Sequence, residues 1–440
     1  MMQPIIIIGA GLAGWTTARE LRKLDADTPL LLISADSGDF YAKPSLSNAF
    51  AQGRGPAQLV STPAAAMAKT HSVTLLAHTT VQAINPEDRT ISTSQGQFSY
   101  SQLVLATGAQ PIRLALAGDA AQQVQAINSL EDFSAFHARL TGARSGESAP
   151  ELARPQVSHH TNQRAQHVLI MGAGLIGCEF ANDLAAAGYQ VSVVDPSSGP
   201  IAALLPAPVS AQLALALADL GVNWHFGTSV KSVSQAALRS NRASAPVGVE
   251  ANPPAFQVEL SNGQLVLVDA VLSAIGLRAD TALAQAAGLL CERAIVVDAS
   301  LQTSQAHIYA LGDGAQYAAG SWGKDCTAPN ADSASGLVSA AIAGGRTLPY
   351  VMPIMHAARA LAATLAGTRT ELAFPLMPVV IKTPALPIVV APALPGTPGD
   401  WCTTEPGIWQ FMDATGQARG FVLTGQQTAR RSEQAKLMLA

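Results

Sequence analysis

The sequence predicts an α/β protein: two Rossmann-like dinucleotide-binding domains and a C-terminal α+β domain. Three observations carry this. The stretch IIIIGAGLAG at residues 5–14 runs from an apolar strand into glycines spaced G-x-G-x-x-G, and VLIMGAGLIG at 168–177 repeats the arrangement. At 440 residues the chain exceeds the ~250–300 residues that one hydrophobic core commonly serves. From about Tyr350 the pattern changes to short apolar strands punctuated by proline.

The first unit reads as βαβ over residues 4–34: an isoleucine-rich strand, a glycine turn, a helix over 12–24, a turn over 25–29 and a second strand over 30–34. The second copy places a strand at 167–171, a helix reaching about residue 187, a stop at Gly188 and a strand YQVSVVD at 189–195. Ala18 and Ala181 each lie nine residues after the first glycine of their copy, on the helix face that must press on the sheet. Three stretches, 145–166, 239–255 and about 318–346, are rich in small and polar residues and read as surface loops, with a short helix over 336–343 left open.

The glycines have distinct tasks. Gly9 and Gly172 permit the tight turn, Gly11 and Gly174 let a pyrophosphate approach the backbone, and Gly14 and Gly177 let helix and strand pack closely. The following helix start, Leu12–Ala13 in one copy and Leu175–Ile176 in the other, offers free N–H groups and a partial positive charge to phosphate. Two cradles imply two dinucleotides. Asp195 follows Gly172 by 23 residues and suits a ribose-binding acid, which would repel a 2′-phosphate and favour NADH over NADPH; Asp36, 27 residues after Gly9, is the looser counterpart.

Composition excludes other classes. Lys and Arg number 26 against 30 Asp and Glu, so no basic excess points to nucleic acid. Apolar runs fall well short of the ~20 residues needed for a membrane span, and the first run ends in a glycine turn rather than a cleavage site, so a cytoplasmic protein is expected. None of the four cysteines, Cys178, Cys291, Cys326 and Cys402, forms a Cys-x-x-Cys pair, and none precedes residue 178, which argues against a dithiol reductase or a thiol peroxidase. The nine histidines show no metal spacing; the adjacent His159 and His160 read as a solvated loop, and no metal site is expected.

Three further segments end apolar strands on small residues: LVLATGAQP at 103–111, VLSAIGLRAD at 271–280, and IYALGDGA at 308–315. In combination and order they resemble the FAD-dependent pyridine-nucleotide reductases with two dinucleotide-binding domains. The likeness covers nearly the whole chain apart from the three insertions. Within that superfamily YAKPSLS at 41–47, GAGLIGCEFANDL at 172–184, YVMPIMHAARALAATLAG at 350–367 and MPVVIKTPALPIVVAP at 377–392 are most similar to NADH-dependent rubredoxin reductases of alkane-oxidising bacteria. The ferredoxin reductases of oxygenase systems are related too, but typically carry Arg at the position of Lys43 and Lys at that of Asn48.

The resemblance implies an FAD-binding domain over 1–115 and 270–349, an NADH-binding domain over 116–269 and a third domain over 350–440 bordering the flavin. It implies FAD contacts at Gly9, Gly11, Leu12, Ala13, Gly14, Ala35, Asp36, Lys43, Val81, Ala106, Thr107, Gly108, Gly312 and Asp313, with the Gly-Asp pair on the ribityl chain. For NADH it implies Gly172, Gly174, Leu175, Ile176, Gly177, Asp195 and Gly276. Three residues are expected to act catalytically: Lys43, stiffened by Pro44; Glu179, facing the flavin and paired to Lys43; and Lys382, an ammonium favouring an anionic reduced ring. The implied function is passage of electrons from NADH through FAD to rubredoxin, serving an alkane hydroxylase system. The alternatives are a ferredoxin reductase, a redox-responsive FAD- and NADH-binding interaction protein, or an NADH oxidase. The basic tail, Arg430, Arg431 and Lys436, reads as a solvated helix or as charge that steers an acidic carrier.

Overall fold

Four consecutive isoleucines, Ile5–Ile8, form a strand buried along its whole length, as a central parallel strand covered on both faces requires. The computed structural model describes residues 2–142, 164–236, 254–318, 345–394 and 396–438. Most of the three expected insertions, the open helix at 336–343, Cys326 and the His159–His160 pair lie outside the described residues. Two compact units are present.

One unit gathers residues 1–42, 60–110 and 277–377. Its parallel sheet has the spatial order Ile308–Ala310, Gln102–Leu105, Ile5–Ile8, Leu30–Ile33, Thr74–Leu76. Ile5 is in register with Leu30 on one side and Gln102 on the other. The helix Leu12–Arg22 buries Trp15, Ala18 and Leu21, and the Asp25 carboxylate closes the following turn by accepting the Asp27 and Thr28 amides. An antiparallel meander, Val81–Asn85, Thr90–Thr93 and Gly96–Ser99, completes the unit's sheets of three or more strands among the described residues.

The helix Val351–Leu365, expected to open the third domain, instead packs on Leu12–Arg22 within this unit. Half of its buried residues, Ala357, Ala358, Ala360 and Ala362, are alanine, so the two helices approach closely and Thr16 reaches the Met355 sulfur. The compact unit that holds this helix runs on to residue 377.

The other unit comprises 43–59, 111–276 and 378–440. Its parallel sheet runs Val222–Phe226, Gln190–Asp195, His167–Met171, Ala270–Ser273, Gln125–Ala126. Ala181, like Ala18, is fully buried, as the repeat predicts. An antiparallel three-stranded sheet spans residues 230–268, and the C-terminal segment forms a five-stranded antiparallel sheet followed by the helix Arg431–Leu437. The fold is thus α/β with two Rossmann-like domains and a C-terminal domain, as the sequence predicts. No helix of the described residues is long and apolar enough to cross a membrane, and no potential metal-binding cluster occurs among them.

Candidate functional site

The first cradle is assembled from three separate segments. Gly9 has φ +109°, and a Cβ there would sit 2.2 Å from the Ala106 carbonyl oxygen, so the glycine turn lies directly on the loop holding Ala106, Thr107 and Gly108. A Cβ on Gly314 would meet the Gly108 carbonyl oxygen at 3.2 Å and Thr107 Oγ1 at 3.3 Å; one on Gly312 would meet Ala13 at 3.1 Å. The Gly312–Asp313 turn is thereby brought to the start of the cradle helix. It is held there by Tyr317, whose buried hydroxyl accepts the Gly312 amide at 2.9 Å.

Gly11 differs from its neighbours. It caps the helix, no side chain caps the N-terminal amides, the first turn carries no acid, and a Cβ at this position would meet nothing within 4 Å. The second cradle repeats this at Gly174, whereas a Cβ on Gly177 would fall 2.0 Å from the Gly172 carbonyl oxygen and one on Gly172 2.6 Å from that of Ala274. Exposed backbone at Gly11 and Gly174, uncapped amides and a helix dipole suit a pyrophosphate in each cradle.

At the end of the second strand of each copy the expected acids bind their own turns. Asp36 accepts the Ser34 hydroxyl and the Gly38 amide. Ala35 beside it is exposed, and the Asp36 and Ser34 carbonyls accept the amides of His78 and Thr79, in the segment that leads to half-buried Val81. Asp195 Oδ2 accepts the Ala173 amide of the glycine turn at 2.6 Å, and Oδ1 the Ser197 amide at 2.7 Å, so this carboxylate stands beside its cradle. Gly276, at φ +115°, lies against Ile112, and Ile176 is exposed at the helix start.

The three expected catalytic side chains lie in one unit. Glu179 Oε2 accepts the Ser47 hydroxyl at 2.6 Å and Oε1 the Lys382 backbone amide at 3.0 Å. Lys43 donates to Asn128 Oδ1 at 3.0 Å. The ammonium whose charge Glu179 supports is Lys382, which donates to the Pro44 carbonyl at 2.9 Å; burial pulls this ammonium below the usual lysine range, and Glu179 opposes that shift. The strand Val379–Ile381 delivers Lys382 to the helix carrying Glu179, which is how the Lys382 amide reaches that carboxylate.

Ser47, Asn128, Asn182 and Asp183 were not legible as site residues. Asn182 accepts the Ala385 amide, and Asp183 accepts the amides of Phe50 and Ala51. One signal was available: Asn and Asp stand together in a largely apolar helix, LIGCEFANDLAA, with Asp183 one turn after Glu179. Cys178, in the same helix, is buried, and burial raises its thiol far above the ordinary range, so it is a packing residue. In the tail, Arg430 is already paired with Glu405 and Glu433, which leaves Arg431 and Lys436 as the exposed cations of that stretch.

Comparison with known proteins identifies the family. The model of the pyridine nucleotide-disulphide oxidoreductase family matches residues 3–345, and that of a rubredoxin binding C-terminal domain matches 371–438. The chain is 38% identical to the rubredoxin-NAD(+) reductase of Acinetobacter baylyi, covering 96% of this chain and 94% of that protein. It is 36% identical to the nitric oxide reductase FlRd-NAD(+) reductase of Aeromonas salmonicida, covering 96% and 93%. In fold it is similar to putidaredoxin reductase in its covalent complex with putidaredoxin, with a TM-score of 0.77 at 20% identity over 99% of this chain and 93% of that one. Two strand–glycine–helix cradles in the expected order, with a family match spanning both, establish that the chain belongs to the pyridine nucleotide-disulphide oxidoreductase family.

Proposed function

We propose that the chain is an FAD-dependent reductase that takes electrons from NADH and passes them one at a time to rubredoxin. One observation carries this reading: the segment matched by the rubredoxin-binding model, 371–438, is bonded to the second cradle helix through Lys382 to Glu179 and Ala385 to Asn182. An acceptor domain is thus locked to a nucleotide domain.

In this reading Gly9, Gly11, Gly14 and the Gly312–Asp313 turn hold FAD, while Gly172, Gly174, Gly177 and Asp195 hold NADH. The flavin supplies the chemistry that links a two-electron hydride donor to a one-electron carrier. The protein supplies placement: uncapped helix amides fix the phosphates, Asp195 reads the ribose and disfavours a 2′-phosphate, and the partly desolvated Lys382 offers a positive charge for a ring that gains negative charge. Lys43 and Glu179 complete that environment. The reading also puts the reaction in the cytoplasm and in the service of an alkane hydroxylase.

Stopped-flow mixing tests it. NADH should bleach the flavin absorbance rapidly, and oxidised rubredoxin should then restore it faster than a plant-type ferredoxin at equal low salt, with added salt slowing the step if Arg431 and Lys436 steer docking. A faster reaction with ferredoxin would make this an oxygenase-type reductase. If neither iron protein outpaced oxygen, the redox-responsive alternative would stand instead.

A further inference from the structure

We infer that Asp183 is a positioning residue for Lys382, acting through the segment that carries Pro44 and Ser47. Its side chain is almost wholly enclosed, with the residue 3% exposed, in a helix that otherwise turns Cys178, Phe180, Ala181 and Leu184 inward. A buried carboxylate is costly unless its lone pairs are matched. Here the two oxygens take the amides of Phe50 and Ala51, each at 2.9 Å. Burial raises the Asp183 carboxyl above its usual range, and the amides of residues 49–51 oppose that rise.

The consequence lies at the other end of the same segment. Residues Lys43–Asn48 form a short 3-10 helix, and Phe50 follows it by two residues, so Pro44 and Phe50 belong to one short continuous segment. Glu179, four residues before Asp183 and on the same helix face, holds Ser47 and the Lys382 amide. The Pro44 carbonyl accepts the Lys382 ammonium at 2.9 Å and the Asn48 side-chain amide at 3.2 Å. Two carboxylates on one helix therefore grip the segment at Ser47 and at Phe50–Ala51, and its carbonyl aims the ammonium. The Phe50 ring is set among Phe133, Phe136, Tyr189 and His137, stacked on the last at 5.5 Å and 25°, which fixes the far end sideways but does not fix its register on the helix. The carboxylate does, because the hydrogen bonds it accepts from the amides are directional and ring contacts are not.

This inference rests on the proposed role of Lys382, and the test separates the two. Asp183→Asn keeps the volume but offers one acceptor oxygen where two amides need one each. In the FAD-loaded protein it should lower the limiting rate of flavin bleaching by NADH about tenfold while NADH affinity stays within about twofold. Added to Lys382→Ala it should slow that rate by less than about twofold, because its effect passes through the missing ammonium. Additive losses would overturn the inference. An unchanged rate in Lys382→Ala alone would overturn the role of Lys382 and leave the decision to a second readout. Competitive acetylation traced by mass spectrometry, with Lys436 as internal standard, should show Lys382 several-fold more reactive in Asp183→Asn; equal labelling would refute the clamp whatever Lys382 does. If Asp183→Asn does not fold, Phe50→Leu loosens the same segment from its other side and should raise Lys382 labelling in the same way, and its failure to do so would also refute the clamp.

Discussion

Replacing Gly11 with valine separates a glycine needed by a ligand from one needed by the fold. Gly11 has φ −75° and ψ −169°, which any residue adopts, and a Cβ there meets nothing within 4 Å. The change should therefore alter the stability of the apoprotein by no more than about 1 kcal/mol. A side chain in that open space would, however, push a pyrophosphate off the helix amides. Losing a single hydrogen bond to a charged group costs about 1.5–3 kcal/mol, or roughly 10- to 150-fold in FAD affinity, and losing two would leave the purified protein nearly colourless. Gly14→Ala is the control with the opposite expectation. Its Cβ would fall 1.9 Å from the Gly9 carbonyl oxygen, so backbone must move, at about 1–3 kcal/mol or more. The assay is the ratio of flavin to protein absorbance after gel filtration, together with thermal unfolding of both apoproteins followed by circular dichroism, since bound FAD would itself raise the midpoint. Full FAD retention by Gly11→Val would refute the cradle. So would an apoprotein melting point lowered as far as that of Gly14→Ala, since the open space would then be structural.

Asp195→Asn should reduce the preference for NADH over NADPH by about tenfold in kcat/KM, because it removes like-charge repulsion while keeping one bond to the glycine turn; equal use of both nucleotides by the unmutated protein would contradict the assignment. Stability should fall on acidification below about pH 6.5. His137, stacked on Phe50, has its pKa lowered from 6.5 by burial, so the unfolded chain binds a proton that the folded one resists. Denaturant unfolding at a series of pH values should show His137→Gln with a flatter acid limb, while His71, His167 and His356, lowered likewise, keep part of the slope. An unchanged limb would mean that partial burial does not hold His137 in its neutral form.

What the sequence determined by itself was local or periodic. Apolar runs ending in G-x-G-x-x-G fix strand, turn and helix within about thirty residues, so both cradles, the buried Ala18 and Ala181 and the position of Asp195 beside its turn were all legible. Composition reached further than position, because the lack of paired cysteines bears on chemistry wherever the residues lie. Tertiary structure decided the rest, because a side chain's partner is chosen by which backbone arrives beside it. The alanine-rich face of Val351–Leu365 assigns that helix to the first unit, although the proline-punctuated strands that follow it belong to the second. Glu179 meets Ser47 and the Lys382 amide, from sites 132 and 203 residues away, and Lys43 meets Asn128, 85 residues on. Asp183 is one of three polar letters in a largely apolar helix, without a legible partner until the fold lays two amides of residues 50 and 51 on it. Periodicity says which face of an element is buried; only packing says against what.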